Sequence, residues 1–315
     1  MATIPVGATS IPRFSRVARR GYRIAAEIPS IPLAMLGVLA IVAVFAPVLA
    51  PHSKLDPVKP TPEQCQAKFG MASCPYVDNV PPFWARGGTL ETPLGTDFLG
   101  RDVLSRLMYG ARISLVVALT GTIFAGAIGT LLGVLAGYMG KWWDQIIMRI
   151  TDAWLTLPSL VFAILLSSVR GPGLWNVVLI LALVFWSRYS RAVRGEVLTI
   201  RERDFVKLAE INGIGKLKII RQHLIPNVMN TVMVLFSLQV GIAVIIEASL
   251  SFLGVGVPPP EPSWGLMMAQ ERDSLMEGKW WLAVSPGICV TMLVLSANML
   301  GDWLRVRLDP QLRNR

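Results

Sequence analysis

Side chains able to do acid–base, nucleophilic or metal chemistry are sparse in this chain of 315 residues, which holds two histidines and three cysteines. No G-x-x-x-x-G-K-[ST] run is present to cradle nucleotide phosphates. No H-E-x-x-H or G-x-S-x-G run is present either. Nothing in the residue pattern supports a hydrolytic or redox centre, and no metal site is expected. The informative chemistry is placement of charge. Glu247 follows Pro226 by 21 residues, so it falls toward the far end of an apolar run. Charges at membrane depth are costly and face a bundle interior or a wet cavity. Glu247 is therefore a candidate pore or interhelix residue. Asp152, near the start of another run, reads as a local pair with Arg149 one turn earlier. No series of acids and histidines outlines a proton relay.

Composition sets the class of scaffold. Hydrophobic residues make up 53% and charged residues 16%, against about 25% charged in soluble domains. A helix needs roughly 20 apolar residues to cross a bilayer. Six runs lack Asp, Glu, Lys, Arg and His: Ile28–Pro51, Ile113–Gly140, Ala153–Val169, Gly171–Ser187, Leu224–Ile246 and Trp280–Gly301. The third is short, but it extends back through Trp142 and Trp143, which suit a membrane interface. These runs predict an all-α integral membrane protein with six transmembrane helices. A 27-residue basic stretch precedes the first run, with no clear small-residue cleavage site, so that run reads as a retained helix.

The basic residues set orientation. One side collects the N-terminal arginines, the turn at Lys141, nine residues from Arg188 to Arg221, and the tail arginines. Twenty lie there against ten opposite, seven of the ten in one long loop. Both termini are expected in the cytoplasm, and the formal charge of +10 becomes a topology signal rather than a nucleic-acid footprint. The expected organisation is a cytoplasmic segment 1–27, a first span 28–51, an extracytoplasmic loop 52–108, a core of five spans 109–304, and a cytoplasmic tail 305–315.

Residues 13–25 read as a surface helix for an anionic leaflet, since Phe14, Val17, Ala18, Gly21, Ile24 and Ala25 share a stripe opposite five arginines; a plain basic flank that sets topology is the other reading. In the outer loop, Cys65 and Cys74 are disulfide candidates if the compartment is oxidising. Two unrelated thiols are the other reading, though exposed free thiols outside the cell are uncommon. Cys289 reads as a small packing residue. Ala125, Gly129, Gly133 and Gly137 recur at four-residue spacing, which lets a second helix approach closely. Packing within the chain and a subunit interface are equally compatible with that ladder.

The segment between the fourth and fifth runs, Arg201 to Asn227, predicts two short helices joined by a glycine turn. Asp204 is the expected cap of the first, with Phe205, Leu208, Ala209 and Asn212 on one face. Gly213 suits the C′ position. A second helix from Lys216 to His223 is expected to stop before Pro226. A rigid knob of this kind suits docking of a soluble partner.

That segment resembles the EAA loop of ABC importer permeases, E-A-A-x3-G-x9-I-x-L-P. Ala209, Gly213 and Pro226 match, while Lys207 stands where Glu is usual, Leu208 for the first Ala, His223 for Ile and Ile225 for Leu. His-x-x-Pro-Asn is common in the peptide branch of that family. Residues 93–115, P-L-G-T-D-F-L-G-R-D-V-L-S-R-L-M-Y-G-A-R-I-S-L, and 249–265, S-L-S-F-L-G-V-G-V-P-P-P-E-P-S-W-G, resemble segments flanking the second and fifth spans of DppC/OppC-type subunits of dipeptide and oligopeptide importers. The resemblance implies a type I ABC importer permease fold with a cytoplasmic coupling loop, about 201–226. It implies a second permease subunit, two ATPase subunits that bind ATP and Mg in place of any cofactor on this chain, and an extracytoplasmic binding protein. Coupling to the ATPase would fall to Phe205, Lys207, Leu208, Ala209, Asn212, Gly213 and Ile214. Peptides are the commonest cargo of this branch; nickel chelates, glutathione and oligosaccharides use similar permeases. Rival classes are a stand-alone secondary transporter, which would show internal repeats and broken helices with ion ligands, and a membrane scaffold.

Overall fold

A computed structural model describes residues 29–60, 62–71 and 73–308. The expected surface helix 13–25 lies outside the described residues. Twelve helices follow in order: α1 Ser30–Leu49, α2 Pro62–Phe69, α3 Val103–Met139, α4 Lys141–Leu155, α5 Ser159–Arg170, α6 Leu174–Arg201, α7 Asp204–Ile211, α8 Lys216–Ile219, α9 Ile225–Phe252, α10 Trp264–Gln270, α11 Arg272–Met276 and α12 Trp280–Leu308. A π-helical turn, Ile220–Leu224, joins α8 to α9. We call the end holding residues 52–102 the loop end and the end holding α7 and α8 the knob end.

Among the described residues, five helices are long and apolar enough to cross a membrane, namely α1, α3, α6, the run Lys216–Phe252 and α12. The third expected span takes another form. Instead of one helix, α4 and α5 meet at 92°. The break falls at residues 156–158, where Pro158 disfavours helical backbone at Leu157 and supplies no N–H of its own. Asp152 also differs. Its carboxylate pairs with Arg191 of α6, not with Arg149, and Asp144 pairs with Arg194. Because α4 lies against α6, two acids on one face of α4 meet two arginines across the interface. Helix α3 starts at Val103, earlier than the expected boundary at 109, because Asp102 caps it: its carboxylate accepts from the Ser105 N–H at 3.0 Å.

The tightest packing joins α3 to α6, and the glycine ladder makes it. A Cβ on Gly129 would overlap the Trp186 carbonyl oxygen and the Tyr189 Cβ. One on Gly133 would lie 2.6 Å from the Ser190 carbonyl oxygen, and one on Gly137 2.8 Å from the Val197 Cβ. The ladder therefore serves packing within the chain rather than a subunit interface. Beneath it, Val134, Val193, Val197, Ile200, Val206, Ile219 and Val228 form a core at the knob end. A larger core around Leu107, Leu181, Phe185, Leu250 and Trp264 fills the rest.

The loop end is tied down by polar groups. Asp97 is 2% exposed. It accepts from the backbone N–H groups of Leu99 and Arg101 at 2.9 Å each and pairs with the guanidinium groups of Arg101 and Arg106. Arg106 also donates to Gln270 at 2.9 Å. The fully buried Trp264 donates its indole N–H to the Leu107 carbonyl at 3.0 Å, and a Cβ on Gly110 would lie 2.9 Å from its ring. The segments 93–115 and 249–265 thus pack on one another. Farther out, Cys65 and Cys74 form a disulfide.

Candidate functional site

The knob is built by a short sequence with two kinds of apolar residue. Val206 and Ala209, three apart in α7, turn inward and join the core with Ile219. Phe205, Leu208, Ile211 and Leu217 turn outward, with Ile211 80% and Leu217 78% exposed. The expected single face of Phe205, Leu208, Ala209 and Asn212 is therefore split. Ala209 anchors the helix, and the other three face solvent. The signal for the inner face was the i, i+3 pair Val206 and Ala209. Ile211 and Leu217 are part of the outward surface that the sequence reading missed.

Asp204 does not cap α7. It is the first helical residue, and the preceding Arg203 makes no side-chain cap bond. Its acid still sits favourably at the helix N-terminus. The C-terminus closes on Gly213 at φ 73°. The Gly213 N–H donates to the Glu210 carbonyl and the Ile214 N–H to the Ala209 carbonyl, both at 3.0 Å. This is the Schellman arrangement, which needs a left-handed residue at that point. Ile214 is half-buried against the knob core. Lys207 meets Glu202 at 3.1 Å, and that contact holds the Glu202 carboxyl below its ordinary range. The pair is exposed, so it contributes little to stability. The Tyr138 hydroxyl donates to Glu210 at 3.1 Å, tying α7 to α3, and the Phe205 and His223 rings lie 5.9 Å apart.

The second knob helix does not stop before Pro226. It runs through the π-helical turn into α9, giving one path from Lys216 to Phe252. Pro226 cannot donate to a carbonyl one turn back, and its ring would crowd that carbonyl in a regular helix. The wider turn, in which the Ile225 N–H reaches the Ile220 carbonyl, accommodates the proline without ending the helix. Mechanically, the second knob helix is the foot of a membrane-spanning helix.

Glu247 lies near the other end of that helix and is fully buried. Its carboxylate accepts from Ser114 of α3 and Ser251 of α9, each at 2.9 Å. Ser251 in turn accepts from the Val257 N–H at 3.2 Å. Glu247 therefore fastens α9 to α3 and to the turn after α9, which is an interhelix role. The break between α4 and α5 is one feature of the stand-alone transporter class. The ion ligands expected beside such a break, as a cluster of three or more acids, histidines or cysteines, are absent among the described residues.

Comparison with known proteins fixes the family. Residues 129–314 match the model of the binding-protein-dependent transport system inner membrane component. The di/tripeptide transport system permease protein DppC of Pseudomonas aeruginosa is 42% identical over 235 residues, 75% of this chain and 77% of that protein. A peptide transport system permease protein of Brucella suis, described there as putative, is 36% identical over 276 residues, 88% of this chain and 86% of that protein. A structure of the MetNI methionine ABC transporter in inward-facing conformations covers 65% of this chain and 96% of its own, with a TM-score of 0.53 at 15% identity, a likeness of fold. The chain belongs to the inner membrane component family of binding-protein-dependent transport systems and has the type I ABC importer permease fold.

Proposed function

We propose that this chain is one permease subunit of an ATP-driven importer that carries di- and oligopeptides across the inner membrane, with both termini in the cytoplasm. The observation that carries the reading is the knob. It presents an apolar surface, it is held to the core on its inner side, and its second helix continues without a break into α9. A solute passing through needs no covalent chemistry here, so the energy comes from partners. Two ATPase subunits bind ATP and Mg beneath the knob and its counterpart on a second, related permease. An extracytoplasmic binding protein delivers peptide at the loop end. Closure of the ATPase pair on ATP moves the knob as a rigid body. The long helix transmits that movement, and the path opens outward to accept peptide. Hydrolysis on the partners restores the inward-open state. Phe205, Lys207, Leu208, Asn212 and Gly213 meet the ATPase in this scheme, with Ala209 and Ile214 holding the knob to its core.

The test is purification of the tagged chain in mild detergent from its native host, followed by reconstitution into liposomes with its binding protein. A second permease and an ATPase should copurify, and labelled dipeptide should accumulate only with ATP. Gly213→Pro removes the N–H that closes α7 and imposes an incompatible φ. It should abolish uptake while the spans still insert. Uptake without ATP, or normal uptake by Gly213→Pro, would sink the scheme.

A further inference from the structure

Helix α6 carries four arginines in its second half, and three have carboxylate partners. Arg191 pairs with Asp152, Arg194 with Asp144, and Arg201 with Glu202. Arg188 has none among the described residues. Its guanidinium donates to neutral oxygens only, Gln239 Oε1 at 3.2 Å and Ser159 Oγ at 3.1 Å, and lies 5.5 Å from the centre of the Phe185 ring. Its depth matters. Arg188 lies midway along α6, between Leu174 and Arg201, and Gln239 lies midway along α9, between Ile225 and Phe252. At a rise of about 1.5 Å per residue, both are about 20 Å from the loop end of their helices, inside a hydrocarbon core about 30 Å thick. Ser159 is the first residue after the break in the α4–α5 pair. An arginine at this depth with no counter-charge is costly unless an anion visits it.

Arg188 is half-buried, so its site is open on one side. Glu196 and Thr199 follow it along α6 at helical spacing, on the same side of the helix, and Arg203 lies just past the helix end. These three line a cavity of about 840 Å³ that also meets Asn227, Asn230 and Thr231 of α9. Arg305 and the apolar Val234, Leu235 and Leu238 share the lining, which reaches Leu238, the residue before Arg188's partner Gln239, and lies on the knob-end side of Arg188. A peptide has one terminal carboxylate, a row of amides and an ammonium. Arg188 suits the first, Asn and Thr the second, and Glu196 the third.

We propose that Arg188 binds the terminal carboxylate of the transported peptide, and that the crevice below it is the peptide's way out. This assignment rests on the peptide-importer reading above. The experiment uses the whole complex in lipid nanodiscs, free of nucleotide and binding protein, with dialanine and its C-terminal amide as probes. In the native complex dialanine should bind more tightly than the amide, on the order of tenfold or more, the range of a hydrogen bond to a charged group. Arg188→Gln keeps donors for Gln239 and Ser159. It should lose that preference, binding both probes as weakly as the native complex binds the amide. Arg188→Lys should restore part of the preference, which a purely structural role would not. Uptake of dialanine in liposomes runs in parallel. A native complex that transports dialanine, with an acid-over-amide preference unchanged in Arg188→Gln, overturns the assignment. A native complex that transports no dipeptide overturns the peptide reading, and the assignment with it.

Discussion

The two ends of this molecule are built on opposite principles. At the loop end, charges are buried and matched: Asp97 is 2%, Arg101 7% and Arg106 2% exposed, and the two arginines both bond to the one carboxylate. At the knob end, charges are exposed and weakly paired, while Ile211, Leu217 and Leu208 stand in solvent. A buried ion network specifies one geometry, because any other leaves a charge unpaired. Exposed apolar side chains on a rigid turn specify nothing until a partner covers them. The contrast teaches that the loop end is a closed structural clamp, while the knob end keeps an uncovered apolar surface, the one that the proposed scheme gives to the ATPase.

Breaking the clamp gives the largest expected effect. Asp97→Asn keeps shape but leaves Arg106 buried without its counter-charge. Removing one member of a buried pair costs about 3–5 kcal/mol. Thermal unfolding in detergent, followed by tryptophan fluorescence, should show a large drop. Asp204→Asn, an acid at the knob, should shift the transition by a small fraction of that. Equal shifts would erase the distinction between the two ends.

Acidity probes the same contrast more gently. Burial is the main influence on the Glu271 carboxyl and pushes it above its ordinary value of 4.5. The Asp97 charge adds to that rise, while the Ser274 hydroxyl, the Phe98 N–H and Arg106 oppose it. A carboxyl raised in the folded state stabilises the fold fully below its unfolded value, and that stability is lost as pH rises through the folded value. The loop end should therefore lose stability as pH climbs from near 4.5. Glu271→Gln should flatten that part of the profile. At the knob end Glu202 has the opposite sign, with stability present above its unfolded value and lost as pH falls. That effect is slight because the group is exposed. A native profile that Glu271→Gln leaves unaltered would count against burial as the cause.

Much of this was readable in the sequence, and what was hidden has physical reasons. The spans were legible because length and apolarity alone define them. The 92° break was not, since hydropathy records no direction, although Pro158 marked its place. Arg188 was assigned to the loop after the fourth span because a run ends at its first charge, whereas the helix continues to Arg201. The knob was legible through Gly213 and Pro226, yet the proline's effect was misread. A wider turn upstream absorbed it, and that depends on the backbone between the two helices. Segments 93–115 and 249–265 were visible as motifs, but their purpose was not. Asp97 meets Arg106 within one motif, while Trp264 meets Leu107 across 157 residues, a separation no local pattern reports.

The smallest expected change in stability is the sharpest test of the contrast. Ile211 is 80% exposed and belongs to neither core. Replacing it with glutamate removes little packing, and surface substitutions of that kind stay within about 0.5 kcal/mol. The unfolding transition of Ile211→Glu should therefore coincide with that of the native chain. The proposed partner interface should respond differently. A charge placed in an apolar contact is left unpaired and desolvated when the partner docks, so ATPase recovered with the tagged chain should fall on the order of tenfold or more. Leu253→Glu gives the control, since Leu253 is 54% exposed and lies just past α9 at the loop end, far from the knob. ATPase recovery should be untouched there. Loss of ATPase with both variants would point to damage of the membrane region as a whole, and loss with neither would mean that the knob's apolar surface is not where the partner sits.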